Sequence, residues 1–216
     1  MLSVEKITEN WDQYLKYVTT LNIDEFTQFN EKYSNRIGSM PNTYKSGNPG
    51  CYAGGYIEHV ILVTKLAFQQ LNQFINYTQF NEDRVKQLKY NLLLSCLTHD
   101  LGKFGSYENE SIIPNDNEWE KKNRGLIYKF NSELAFMRVQ DRSIMLLNDL
   151  GIKLDYEQTV TIKLCNGLYD ESNKPYLISG LPEARLRTPL PHILHQAKML
   201  ATQIETNNQF PELCYM

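Results

Sequence analysis

The sequence predicts an all-α protein, a helical bundle with long loops, and three observations carry that expectation. Over most of the chain apolar residues recur at spacings of three and four, the period of one face of an α-helix. The alternation that marks a strand is scarce. Two stretches rich in Gly, Pro, Ser and Asn, "RIGSMPNTYKSGNPGCYAGG" and "LISGLPEARLRTPLP", interrupt the helical pattern where a chain leaves regular structure.

Taken in order, residues 3 to 33 have polar-rich amphipathic character and are expected to be helical before the first long loop. From Tyr56 to about Phe74, the residues Ile57, Val60, Ile61, Thr64, Leu66, Ala67 and Leu71 fall largely on one broad stripe, as a core helix requires. His59 lies inside that helix. Residues 82 to 101 form the next, with Leu88, Leu92, Leu93, Cys96 and Leu97 as the buried stripe and Gly102 as its exit, a residue suited to ending a helix. The polar connection "GSYENESIIPNDNEWEKKNRG" is too long for an idle surface turn and is expected to be a structured cover or binding loop. Further helices are predicted near 132 to 150 and 155 to 169. In the last one Thr188 can cap, Pro189 or Pro191 can occupy the first turn, and Leu190, Ile193, Leu194, Ala197, Leu200, Ala201 and Ile204 form a continuous apolar face.

A chain of 216 residues fits one domain, large enough to bury a substantial core. It divides into an N-terminal helical extension and loop (1–50), a core (51–206) and a tail (207–216). Hydrophobic residues at 42% and charged residues at 22% argue against extended disorder. The net charge of −3 excludes a dominant electrostatic pull on nucleic acid or acidic membranes, although a local basic patch would still permit nucleic-acid contact. Cys51, Cys96, Cys165 and Cys214 form no CxxC pair, which suggests reduced thiols rather than a disulfide framework. The N-terminal "MLSVEKITENWDQYL" lacks the basic start and apolar core of a signal peptide. No apolar run approaches the ~18 residues of a membrane span. A soluble, cytoplasmic protein is the expectation.

The candidate chemistry starts where "LLLSCLTHDLGKFG" ends an apolar run on His99 and Asp100. Neighbours on a helix point about 100° apart, so the two can share a ligand only if the last turn opens, which Gly102 would allow. An imidazole nitrogen beside a carboxylate oxygen begins a divalent-metal site, and His59, in the core stripe of the preceding helix, is the candidate third ligand. As structural groups, His99 would be a helix-end histidine favoured by the dipole and Asp100 a cap, which leaves the buried His59 unexplained. Lys103 follows closely enough to contact a phosphate or offset its developing charge. Lys121, Lys122, Arg124 and Lys129 interleave with Trp119 and Tyr128, a mix suited to a phosphate-bearing aromatic ligand and equally to a solvated basic loop. Helical angle puts Lys198 at the edge of the last helix's apolar stripe and His192 and His195 farther toward solvent. Cys165 reads as a buried thiol, and the 14 tyrosines mostly as core and rim.

"GGYIEH", ending in His59, followed by "HDLGK" from His99 to Lys103, resembles the opening half of the HD-domain metal-dependent phosphohydrolases. "IPNDNEWEKKNRGLIYKFN" and "LHQAKMLATQIE" are similar to a branch of small phage and bacterial HD hydrolases, so the likeness covers about residues 50 to 206. It implies an HD-domain-like helical bundle, host-cytoplasmic if phage-encoded, that hydrolyses a nucleotide or related phosphate ester. It also implies a divalent metal (Mn, Fe, Ni, Zn or Mg) held by His59, His99 and Asp100. Asp100 and Lys103 would serve catalysis, and Lys121, Arg124, Tyr128 and Lys198 would bind substrate. The branch usually carries a fourth ligand, Asp, where this chain has Lys198, and His-Asp where it has Cys165-Asn166. A protonated lysine donates no lone pair and adds positive charge, so metal affinity is expected to drop. The rival expectation is a non-catalytic HD-like module that binds a nucleotide or a protein partner.

Overall fold

The computed structural model describes residues 2–178, 183 and 185–211. Cys214 lies outside them, as do residues 179–182 and 184 of the loop before the last helix. The fold is all-α, with ten helices among the described residues: α1 (Val4–Thr20), α2 (Asp24–Lys32), α3 (Ser34–Ser39), α4 (Gly55–Asn76), α5 (Glu82–Thr98), α6 (Glu118–Arg124), α7 (Val139–Asp149), α8 (Tyr156–Lys163), α9 (Lys174–Leu177) and α10 (Leu190–Gln209). No helix among the described residues is long and apolar enough to cross a membrane.

Local chemistry sets the helix ends. Ser3 and Asn81 accept from the third backbone N–H of α1 and α5, and Asp155 forms a capping box with Gln158 at α8, each satisfying N–H groups that a helix start leaves unpaired. The predicted N-terminal helical stretch is broken at Asn22, the one described non-glycine residue at positive φ. The final helix begins at Leu190, with Pro191 in its first turn and the Thr188 hydroxyl accepting from Leu190 N at 3.4 Å.

Two apolar clusters form the core. One gathers Tyr14, Phe26, Ile37, Tyr56, Leu97, Phe104 and Leu147 around the N-terminal helices and one side of α4. The other gathers Val63, Leu71, Leu92, Cys96, Ile193 and Ala197 between α4, α5 and α10. Helix α10 packs most extensively against α4 and also meets α5 and α8. Its predicted face is buried at Leu190, Ile193, Leu194, Ala197 and Ala201, but Leu200 is 45% exposed, because the stripe is narrower than the residue types suggest.

The connection from Gly105 to Gly125 is structured. Strand β1 (Ile112–Pro114) pairs antiparallel with β2 (Tyr128–Phe130), Ile112 opposite Phe130, and α6 lies between them. This small ribbon was not predicted, since three-residue strands are too short for alternation to register. It holds down the loop at 40–54: Tyr128 N donates to Tyr44 O and Ser46 N to Gly125 O.

Candidate metal centre

The His-Asp pair stands where α5 gives way to a 3-10 helix at Leu101–Phe104. His99 is the C-cap of α5, with φ −56°, and Asp100 turns to φ −114°. That change of direction brings the two side chains near each other, with His99 Nε2 3.8 Å from Asp100 Oδ2. Gly102 was expected to let the last turn open, but the turn is made at Asp100 and the φ of Gly102 is not positive. Its part is close approach. A Cβ there would stand 2.0 Å from the Val139 carbonyl oxygen, and its N–H donates to Ser143 Oγ at 2.8 Å, so glycine lets the turn lie directly on α7.

His59 comes from the core face of α4, and the ligand atoms of His59, His99 and Asp100 all lie within 4.8 Å of one another, every one of the three buried. Hydrogen bonds fix the ring orientations. His99 Nδ1 donates to Cys96 O at 2.8 Å. His59 Nδ1 donates to Glu205, 2.9 Å from Oε1 and 3.0 Å from Oε2. Because carbonyl and carboxylate oxygens can only accept, each ring in its neutral form carries its lone pair on Nε2. Both Nε2 atoms are buried without a hydrogen-bond partner among the described residues, a costly state for polar atoms inside a protein. Two unpaired imidazole nitrogens beside a carboxylate, one ring backed by a second carboxylate, suit a divalent transition metal.

Two lysines share the carboxylate. Lys103 Nζ is 2.6 Å from Asp100 Oδ2 and Lys198 Nζ 2.7 Å from Oδ1. Lys103 also donates to Asn42 Oδ1 at 2.5 Å, and Lys198 to Asn166 Oδ1 at 2.9 Å. Burial alone would raise the Asp100 carboxyl, but the two ammonium groups hold it well below the usual carboxylate range. Burial pushes His99 down to about 3, against the pull of Asp100, so the ring stays neutral and able to ligate. Burial lowers Lys103. For Lys198 burial works the same way but is outweighed by Asp100, and its ammonium is held above the ordinary range. Burial raises the Cys165 thiol to about 11, which suits a buried thiol rather than a nucleophile.

The other candidates are distributed differently. Tyr128 lines a separate cavity of about 130 Å³ with Arg36, Lys103 and Phe104. Lys121 pairs with Glu118 at 2.6 Å and Arg124 with Glu120 at 3.1 Å along α6, and neither lines the cavity that holds His59, Asp100 and Lys198. His192 is exposed and His195 half-buried, outside the metal cluster. Glu205 and Asn42 went unassigned from sequence. Glu205 stands seven residues, or about two turns, beyond Lys198, a spacing that puts both on one side of α10 and could have found it. Nothing local marks Asn42 within its loop.

Comparison of the chain with models of known protein families, with curated proteins and with solved structures finds no match.

Proposed function

We propose that the protein is a metal-dependent phosphohydrolase of HD type acting on a nucleotide or related phosphate ester. The observation that carries the reading is that the buried His59, His99 and Asp100 bring ligand atoms within 4.8 Å of one another, with both imidazole Nε2 atoms unpartnered among the described residues. These three would hold the ion. When bound, a divalent ion in such a site polarises a phosphoryl oxygen and lowers the pKa of water.

The chain's own groups would do the rest. Lys103 and Lys198 supply ammonium donors, and Asn42 and Asn166 orient them, so a phosphoryl group entering the cavity meets positive charge held in place before it arrives. Glu205 fixes the His59 ring and makes it a better donor. Within this network two carboxylates, Asp100 and Glu205, offset two ammonium groups, Lys103 and Lys198. A phosphate dianion would therefore need the added charge of a cation to be held firmly, which favours the metal reading.

The direct Lys198 contact with Asp100 favours a second reading, a non-catalytic HD-like module that binds a phosphate-bearing ligand. Metal analysis of protein purified without chelator, beside a phosphate-release screen over nucleotides and simple esters, separates the two. Bound Mn, Fe, Ni or Zn with turnover is the expected result. Nucleotide binding without metal and without release would establish the module instead.

A further inference from the structure

Helix α10 extends the site well beyond the metal cluster. His195, Lys198, Met199 and Thr202 recur at i, i+3, i+4 and i+7, one side of a helix over about 10 Å. Three cavities succeed one another along this stripe. The first, about 270 Å³, contains His59, Asp100 and Lys103 and shares Asn166, Lys198 and Thr202 with a second of about 250 Å³. The second shares Tyr169, His195 and Met199 with a third of about 430 Å³. The chemistry changes in the same direction. Charged groups at the metal end give way to the amides and hydroxyl of Asn166, Gln203 and Thr202, then to Leu168, Leu177 and Ile178 around the Tyr169 and His195 rings.

The apolar end is built rather than incidental. His195 Nδ1 donates to the Cys165 carbonyl at 3.0 Å, which fixes the ring. Gly167, at φ +54°, makes room for it, since a Cβ there would stand 2.3 Å from His195 Nε2. Tyr169 meets the same ring nearly edge-on, centroids 6.2 Å apart. Cavities of this size with apolar walls and a few polar groups at one end are typical of small-molecule sites.

We propose that the trough along α10 is the subsite for the organic part of the phosphate ester, and that this part is a flat apolar group seated among Tyr169, His195 and Met199. The proposal rests on the reading that phosphate binds at Lys103 and Lys198, and it names the class of ester that site prefers. Leu168 and Ile178 line this end and are 52% and 58% exposed, so an apolar occupant would remove apolar surface from water, which stabilises the complex. Small polar esters gain nothing from this end.

The test is calorimetric titration of the full chain, with and without Mn, using inorganic phosphate, glycerol phosphate and naphthyl phosphate. Naphthyl phosphate is expected to bind on the order of tenfold more tightly than the other two. In Tyr169→Ala and Met199→Glu, at positions 82% and 43% exposed, the ratio of naphthyl to glycerol phosphate affinity is expected to fall toward one with the melting temperature unchanged. Measurable phosphate binding with equal affinity for all three ligands in the wild type overturns the subsite and leaves the phosphate site standing. A preference that survives both substitutions overturns its location. Absence of binding by every ligand overturns the phosphate reading and the subsite with it.

Discussion

Lys198 Nζ lies 2.7 Å from Asp100 Oδ1, so an ammonium group occupies one side of the carboxylate that the metal would use. Any ion entering between His59, His99 and Asp100 competes with that contact. Replacing Lys198 by Asp removes the competitor and adds a hard oxygen donor, and should tighten Mn binding by about 10–100-fold, the scale on which supporting groups alter metal affinity. Without metal the variant places two carboxylates together in a buried cavity and should melt below the wild type. Mn should then raise its melting temperature more than it raises that of the wild type. Mn calorimetry with paired melting curves measures both effects, and equally tight binding in the two proteins would show that Lys198 does not oppose the ion.

Glu205 acts on the opposite side of the site. It accepts from His59 Nδ1 through both carboxylate oxygens and is only 13% exposed. Glu205→Gln keeps an acceptor but loses the charge, and should weaken Zn or Mn binding by about 10-fold with little change in the metal-free melting temperature. Glu205→Ala frees the ring as well and should lose more. If calorimetry shows both variants binding as tightly as wild type, His59 is not a ligand that Glu205 supports.

Much of this architecture was legible because it depends on period and residue type. The α4, α5 and α10 stripes could be read from apolar spacing, and with them the convergence of His59 on His99 and Asp100, since helices packed by those faces bring the residues together. The edge position of Lys198 followed from helical angle alone. Asn42 was illegible because its position depends on backbone bonds across an irregular loop, including Asn42 N to Gly50 O at 2.8 Å, that no periodic pattern announces. Lys121 and Arg124 looked like ligand groups by composition, yet their acidic partners Glu118 and Glu120 stand three and four residues before them. Spacing at i, i+3 and i, i+4 favours pairs along the helix. Gly102 was singled out for the wrong physical reason, conformational freedom rather than contact with α7.

That contact makes Gly102→Ala a probe of the site's foundation. The new methyl group would stand 2.0 Å from the Val139 carbonyl oxygen and 3.0 Å from Arg142 Cβ, so α7 or the His-Asp turn must move. The cost should be about 1–3 kcal/mol by the usual scale of overpacking, read as a lower urea midpoint. Mn affinity should fall too, because Asp100 is two residues away. An unchanged midpoint would mean that the α7 contact yields freely.

The pair Arg84 and Glu157 ties α5 to α8 at a distance from the site. Arg84 Nη2 is 2.5 Å and Nη1 2.8 Å from the two carboxylate oxygens, and Asn91 Nδ2 donates to Glu157 Oε2 at 3.0 Å. Burial would raise the Glu157 carboxyl, but Arg84, Thr188 and Asn91 together hold it below its ordinary 4.5. The folded state therefore binds this proton less readily than the unfolded state does. The resulting stability is fully present above pH 4.5 and is lost as pH falls through the lowered folded value. The carboxylate is 11% and the guanidinium 28% exposed, which places the pair between a surface ion pair and a fully buried one. Glu157→Gln should cost about 1.5–3 kcal/mol at neutral pH, the range for hydrogen bonds to charged groups. Urea unfolding of both proteins across an acid series should show the gap narrowing below pH 4.5 and closing once the wild-type carboxyl is protonated. A gap of constant size across that series would show that the Glu157 charge contributes nothing to stability.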